Sequence, residues 1–283
     1  MKGVILTAGY GTRFLPITKT VPKEMLPLGT RPALDYVVQE YIDSGIHDIL
    51  IINSRRKKIL EDFYDREPEL EAVFEREGKA ANLKKIQPAA ANIFFVRQQA
   101  MEGTGAAVML AREFVGDDAC VLAFPDDIHL GEVPLARQLA EVYERTGDAV
   151  LALEERPAGE DISRYGVADV KSGSNPLKVN GLVEKPKTGT EPSRYISIGR
   201  YLLTPAVFEA LEVERKLHQG GEFYLTAAFE RVGKAGGLSG CVYQGERLDT
   251  GEPQGYYEAM VQFLLRDPEQ GSAFREFLRK QLG

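Results

Sequence analysis

Apolar residues change their period several times along the chain, and each change marks an element. Val4-Ile5-Leu6 is a continuous apolar run that reads as a buried strand. Between residues 33 and 44, Leu34, Val37, Val38, Tyr41 and Ile42 recur at helical spacing and form one apolar stripe. Gly45 ends that helix, and Ile49-Leu50-Ile51-Ile52 follows as a second buried strand. Residues 55–80 are charge-rich and interrupted by Pro68, which predicts two helices, or one helix and a loop. Further strands are read over 93–96, 120–124 and 149–153, with helices over about 104–114 and 133–146 between them. Near-continuous apolar strands alternating with amphipathic helices predict an α/β fold. Its Rossmann-like, mixed but mainly parallel sheet is flanked by helices on both faces.

The pattern shifts after residue 150. Residues 165–203 hold shorter β-type segments separated by turns at 171–176 and 187–190, a mixed or antiparallel β-rich addition to the sheet. Helices are expected over about 205–212, 222–233 and 254–265. A last one, over about 268–281, places Phe274, Phe277, Leu278 and Leu282 on one face for packing or an oligomer contact. No boundary is sharp. The division favoured is one composite domain over 1–265, with halves 1–150 and 151–265, followed by a C-terminal helix over 266–283.

Composition narrows the class. A 283-residue chain with 43% hydrophobic residues is ordinary for a globular α/β protein. The net charge of −7 argues against a surface devoted to nucleic acid or anionic membrane. No apolar run is long enough to span a bilayer, and the amino terminus does not read as a signal peptide. Cys120 and Cys241 read as reduced thiols of a cytoplasmic protein, and His47, His129 and His218 show no metal-ligand spacing.

Candidate chemistry begins where the first strand ends. Thr7-Ala8-Gly9-Tyr10-Gly11-Thr12-Arg13 lets the backbone bend tightly and turn several N–H groups toward one anion. Arg13, Lys19 and Lys23 add fixed positive charge, and Pro22 and Pro27 stiffen the loop that aims Lys23. Together these suit a polyphosphate. The segment is not a P-loop, because no Gly-Lys-Ser/Thr follows the glycines. It is not a dinucleotide fingerprint, because Phe14 stands where a third glycine is needed and Asn53 ends the second strand.

Four more segments stand at strand ends, where open α/β sheets bind ligands. Asp126 and Asp127 follow the strand over 120–124, placed either to hold Mg²⁺ against phosphate or to cap a turn. Asp249 follows the β-like residues 240–244 and precedes a helix, so it reads as a second metal carboxylate or a helix cap. Gln98 offers an amide donor and acceptor matched to a pyrimidine edge, beside Gly103-Thr104-Gly105, or is plain surface. Glu184-Lys185 could bind sugar hydroxyls and a sugar phosphate, or be an exposed ionic turn. Gly166 and Gly199 lie inside β segments, where glycine marks a bulge or a close ligand approach.

In order along residues 3–263, these pieces resemble the bacterial UTP–glucose-1-phosphate uridylyltransferases of the sugar nucleotidyltransferase superfamily. The resemblance is carried by the glycine loop with Thr12-Arg13, Pro22-Lys23-Glu24-Met25-Leu26-Pro27, Arg97-Gln98, Gly103-x-Gly105 and Pro125-Asp126-Asp127. Tyr165-Gly166, Glu184-Lys185-Pro186, Gly199-Arg200-Tyr201 and Asp249-Thr250-Gly251 complete it.

The resemblance implies a nucleotide-diphospho-sugar transferase fold whose first half binds nucleotide and whose second half binds sugar phosphate. It implies that Arg13 and Lys23 bind the triphosphate, over a loop formed by Ala8, Gly9, Gly11 and Thr12. Gln98 and Gly103 would read uracil. Asp126 and Asp249 would hold Mg²⁺. Glu184, Gly166 and Gly199 would bind glucose, and Lys185 the phosphate of glucose 1-phosphate. The implied reaction joins UTP and glucose 1-phosphate into UDP-glucose and pyrophosphate, in a homodimer or homotetramer.

The chain departs from the family pattern at Ala106, where His is common, and at Tyr224 and Ala227, where Gln and Asp are common. These positions bear on the site wall or a subunit contact. The competing expectations are a related transferase using dTTP, CTP or another sugar 1-phosphate, and a non-catalytic paralogue that binds sugar nucleotides.

Overall fold

The computed structural model describes residues 1–283, the side chain of Ser172 excepted. The strands in chain order are β1 (Lys2–Leu6), β2 (Pro27–Leu28), β3 (Arg31–Pro32), β4 (Asp48–Asn53), β5 (Asn92–Arg97), β6 (Cys120–Ala123) and β7 (Asp127–Leu130). They continue with β8 (Ala149–Glu155), β9 (Gly166–Ser172), β10 (Leu177–Glu184), β11 (Tyr195–Leu203), β12 (Leu238–Val242) and β13 (Glu246–Asp249). Nine of them form one sheet in the order β5-β4-β1-β6-β11-β8-β12-β10-β9.

The apolar runs become central strands because both faces of the sheet are covered. Val4, Leu6, Leu50, Ile52 and Leu122 point to one core, against helices Thr104–Met109, Pro205–Leu217 and Thr226–Lys234. Their neighbours Ile5, Ile49, Ile51, Val121 and Ala123 point to the other, against helices Ala33–Asp43 and Leu135–Thr146. Ile5 is fully buried, and a side chain of that size contributes about 1.5–3 kcal/mol by leaving water.

β5, β4, β1 and β6 run parallel, with Asn53 opposite Arg97, Leu6 opposite Ile52 and Ile5 opposite Ala123. Their carboxyl ends therefore share one edge of the sheet. Thr7, Ser54, Gln98 and Phe124 emerge there side by side.

The nine-residue strand β11 lies between β6 and β8, antiparallel to both. β11 is buried along almost its whole length, which suits an interior position, and a bulge between Ser197 and Tyr201 shifts its register. The helix over 104–114 is two pieces, Thr104–Met109 and Arg112–Val115. Ala111 N–H bonds to the Val108 carbonyl at 2.9 Å, the i−3 pairing that tightens and ends a helix. Residues 55–80 form helices Ile59–Tyr64 and Pro68–Arg76, with a third at Ala80–Lys85. The helix expected from 222 starts at Thr226, because Phe223 pairs by backbone with Glu102 and Gly105 instead.

The last helix, Gly271–Leu282, leaves Phe277 and Leu282 exposed while Phe274 and Leu278 are half-buried. Among the described residues no helix is long and apolar enough to cross a membrane.

Candidate active site

The glycine loop is closed by contacts with β4 and with the loop that carries Lys23. Thr7 donates its N–H and its hydroxyl to the Ile52 carbonyl, at 2.9 and 3.0 Å. Gly11 has φ 66°, the left-handed region that suits glycine, and its carbonyl accepts from Thr18 Oγ1 at 2.7 Å. Below the loop, buried Lys57 donates to Glu24 Oε1 and Oε2 at 2.7 and 2.9 Å and to the Thr7 carbonyl. One ammonium thus clamps the end of β1 to the Pro22–Pro27 loop. Burial lowers the Lys57 pKa although Glu24 opposes it. Within Arg55-Arg56-Lys57-Lys58 nothing local distinguishes Lys57. Only the tight turn Arg55–Lys57 aims it inward.

Above the loop opens a cavity of about 360 Å³. Ala8, Gly9, Gly11, Thr12, Lys23, Gln98, Gly103 and Asp126 line it together with apolar Leu6, Met101 and Phe124. Its size and its mixture of apolar wall with a few polar groups fit a nucleotide. Gln98 is buried, and its Nε2 donates to the Gly103 carbonyl at 3.4 Å. Gly103 has φ 104°, and a Cβ there would lie 2.5 Å from the Phe223 carbonyl oxygen, so the approach of these two segments requires glycine.

The carboxylates meet through a two-stranded ribbon rather than through the main sheet. β7 and β13 pair antiparallel with Asp127 opposite Asp249. Thr250 adds a second tie, donating its N–H and hydroxyl to the Asp126 carbonyl at 2.7 and 3.0 Å. Asp249 is no helix cap: Glu252 precedes helix Pro253–Arg266, and Asp249 Oδ1 accepts from Gly251 N–H at 3.0 Å. Asp126 Oδ2 lies 2.5 Å from Lys23 Nζ. Burial raises the Asp126 pKa, but the charge and hydrogen bond of Lys23 outweigh it and the net direction is down. Asp127 goes the other way. Burial, with Asp126 and Asp249 nearby, pushes it up, although Arg247 opposes. Under the ribbon Arg200, fully buried, forks onto Glu40 at 3.0 and 2.7 Å and donates to the carbonyls of Phe124 and Asp127 at 3.4 and 3.1 Å.

Gly251 lies between the carboxylates. A Cβ there would fall 2.9 Å from Asp126 Oδ2 and 3.2 Å from Asp249 Oδ1. Two hard oxygen donors around a space kept open by glycine fit a Mg²⁺ ion that takes its other ligands from phosphate and water. Among the described residues, no group of three or more His, Cys, Asp or Glu side chains gathers to hold an ion without such help.

On the other side, Glu184 ends β10 opposite Gly166 of β9, and a Cβ on Gly166 would stand 3.5 Å from Glu184 Oε2. Glu184 faces a second cavity of about 580 Å³, shared with Phe223, Tyr224 and Ala227. Burial raises the Glu184 pKa against the pull of Lys185. Lys185 has φ 46° and is the one non-glycine residue with left-handed backbone among the described residues. Its N–H donates to the Tyr165 carbonyl at 3.1 Å, and its Nζ lies 3.9 Å from Glu184 Oε1. Gly199 donates its N–H to Asp127 Oδ2 at 3.0 Å, tying the second half to the ribbon.

Six expected residues stay outside the nucleotide cavity: Arg13, Gly166, Glu184, Lys185, Gly199 and Asp249. Arg13 faces Glu252 Oε1 at 3.5 Å with 62% of its side chain exposed. Asp249 is engaged by Arg247 Nη2 at 3.0 Å, and Lys185 sits beside Glu184. Lys57 and Arg247, which help hold the site together, carry no local sequence signal, and Arg200 stands in the Gly199-Arg200-Tyr201 segment with nothing local to show that it turns inward.

Residues 2–265 match the Nucleotidyl transferase family. The chain belongs to that family. It is 41% identical over 283 residues to the UTP–glucose-1-phosphate uridylyltransferase of Staphylococcus epidermidis, covering 99% of this chain and 97% of the relative. Among solved structures it is similar to a UTP-bound UGPase from Acinetobacter baumannii. The TM-score is 0.88 and the identity 30%, covering 98% of each chain. It is similar also to a UDP-glucose pyrophosphorylase complexed with UDP-glucose, with TM-score 0.82, 32% identity, and 94% and 99% of the two chains covered. As a nucleotidyl transferase, the chain carries its departures away from Lys23 and Asp126. Ala106 packs against the core, and Tyr224 and Ala227 wall the cavity at Glu184.

Proposed function

We propose that the chain transfers a uridylyl group from UTP to glucose 1-phosphate, giving UDP-glucose and pyrophosphate. The observation that carries this reading is the single cavity joining the Ala8–Thr12 loop, Lys23, Gln98, Gly103 and Asp126 at the carboxyl edge of the sheet. The uridylyltransferase named above and the UTP and UDP-glucose complexes of similar fold support it.

Gln98 and the Gly103 backbone read the uracil edge. The loop amides and Lys23 hold the triphosphate, with Arg13 turning in from Glu252. Glu184, Gly166 and Gly199 bind the glucose hydroxyls, and the Lys185 ammonium holds the phosphate of glucose 1-phosphate. Asp126 and Asp249 would hold Mg²⁺, which when bound would neutralise charge on the phosphate oxygens. A phosphate oxygen of glucose 1-phosphate bonds to the α-phosphorus of UTP while the bond to the bridging oxygen breaks and pyrophosphate leaves. The attacking phosphate is already ionised at neutral pH, so no side chain need take a proton. The residues act by positioning and charge neutralisation. The halves divide near residue 150, nucleotide first and sugar phosphate second. Buried, unpaired Cys120 and Cys241 suit a reducing cytoplasm.

The test is pyrophosphate release with Mg²⁺ across UTP, dTTP, CTP and ATP against glucose, galactose and glucosamine 1-phosphates. Fast release from UTP with glucose 1-phosphate alone is expected. A different best pair moves the substrate. No release from any pair, with UDP-glucose still bound, makes the protein a binder.

A further inference from the structure

Arg247 touches both halves of the site without lining the nucleotide cavity. Its Nε donates to Asp127 Oδ1, its Nη2 lies 3.0 Å from Asp249 Oδ2, and its guanidinium carbon stands 5.6 Å from the centroid of the Tyr165 ring. The side chain is only 13% exposed.

Each of these partners leads to a different part of the site. Asp249 is one of the two carboxylates around Gly251. Asp127, through its second oxygen, accepts the Gly199 N–H at 3.0 Å. Tyr165, through its carbonyl, accepts the Lys185 N–H at 3.1 Å. A planar guanidinium can serve two carboxylates and lie against a ring at once, because its donors point in fixed directions. An ammonium is a single point of charge and cannot reproduce this. Remove the guanidinium and two carboxylates remain directly paired across β7 and β13 in a largely buried place. Like charges so placed repel and separate, and Gly199 and Tyr165 are attached to what moves.

We propose that Arg247 is a positioning residue that sets the sugar-phosphate side of the site, at Gly199 and Lys185, in register with the Asp126–Asp249 pair. The inference rests on the uridylyl-transfer reading above. It goes beyond it by naming the side chain that couples the two halves. Loss of Arg247 damages the sugar side and leaves the uridine cavity nearly as it was.

The experiment compares wild type, Arg247→Met and Arg247→Lys by calorimetric titration with UTP and with UDP-glucose in EDTA, followed by steady-state kinetics. Arg247→Met is expected to weaken UDP-glucose about tenfold or more and UTP less than about threefold, a differential of about 0.7 kcal/mol or more. The KM for glucose 1-phosphate and the Mg²⁺ concentration at half-maximal rate rise together. Arg247→Lys recovers only part of the loss. Should Arg247→Met not fold, Tyr165→Leu removes the ring contact of Arg247, with that of Arg164, and is expected to weaken UDP-glucose selectively, whereas Arg164→Met, which spares Arg247, does not. Equal weakening of both ligands, or an unchanged ratio, overturns the proposal. If the wild type binds neither UTP nor UDP-glucose, in EDTA or with Mg²⁺ restored, the proposed function fails, and the Arg247 proposal with it. A wild type that binds both, with variants that keep its ratio, sinks only the role of Arg247.

Discussion

Lys23 Nζ lies 2.5 Å from Asp126 Oδ2 on the floor of the nucleotide cavity. The residue proposed to hold phosphate and the residue proposed to hold the metal therefore neutralise each other until ligands arrive. Asp126→Asn keeps the shape and removes the charge. It is expected to lower kcat at least about a hundredfold while the unfolding midpoint moves little, since Lys23 keeps water contact. Turnover near the wild-type level in a pyrophosphate assay would refute the metal role of Asp126.

Lys185 combines a left-handed φ of 46° with an ammonium 3.9 Å from Glu184 Oε1. Lys185→Ala and Lys185→Gly are both expected to lower kcat/KM for glucose 1-phosphate by about a hundredfold or more. They differ in stability. Alanine keeps the backbone strain and glycine releases it, so the glycine variant is expected to be the more stable of the two by about 1 kcal/mol. Denaturant melts and kinetics with each substrate varied separately check both parts. A defect confined to the KM for UTP contradicts the assignment.

Glu184 gives a pH dependence with a definite sign. Burial raises its pKa above the ordinary 4.5, so it takes up its proton at a higher pH than a free carboxyl. The folded state holds that proton more tightly than the unfolded chain. The associated stability is present below 4.5 and is lost as pH rises through the raised value. Sugar binding runs the opposite way, because the carboxylate form accepts two hydroxyls. Affinity for glucose 1-phosphate is expected to improve as pH rises through the same window. In Glu184→Gln only the slope from the substrate phosphate remains. Parallel KM–pH profiles for the two proteins would show that Glu184 does not bind sugar.

Arg200 and Glu40 form a buried, two-pronged ion pair under the turn that carries Asp126 and Asp127. Removing one partner leaves a charge in the core. Arg200→Met is expected to lower unfolding free energy by about 3–5 kcal/mol, and Arg200→Met with Glu40→Leu by clearly less than the sum of the singles. Urea unfolding of the four proteins measures this, and additive losses would mean the pair is uncoupled.

Arg13 and Glu252 are 62% and 46% exposed and 3.5 Å apart, a pair worth about 1 kcal/mol at most. So weak a contact does not hold Arg13 away from bound triphosphate. Arg13→Met is expected to raise the KM for UTP about tenfold, whereas Glu252→Gln leaves it unchanged or slightly lower. An unchanged KM for UTP in Arg13→Met would mean that the arginine stays outside.

Much of the site was legible because its parts are local. A glycine turn after an apolar strand, Lys23 between prolines, and polar residues just past strand ends are constraints that neighbouring residues impose on one another. They placed eight expected residues around one cavity. The β-rich second half was legible as a change of period.

What the chain by itself determined was that β1, β4, β5 and β6 are buried strands of a parallel sheet, and that small residues and Lys23 gather in and beside the loop that leaves β1. Local backbone geometry and period-two burial suffice for these. Tertiary structure alone decided that β11 enters between β6 and β8. It decided that the β7–β13 ribbon carries Asp249 to Asp127, and that Lys57, Arg200 and Arg247 turn inward. An arginine or lysine in sequence reads as surface. It becomes a core residue only when a carboxylate from a distant segment meets it, as Glu40 meets Arg200 across 160 positions.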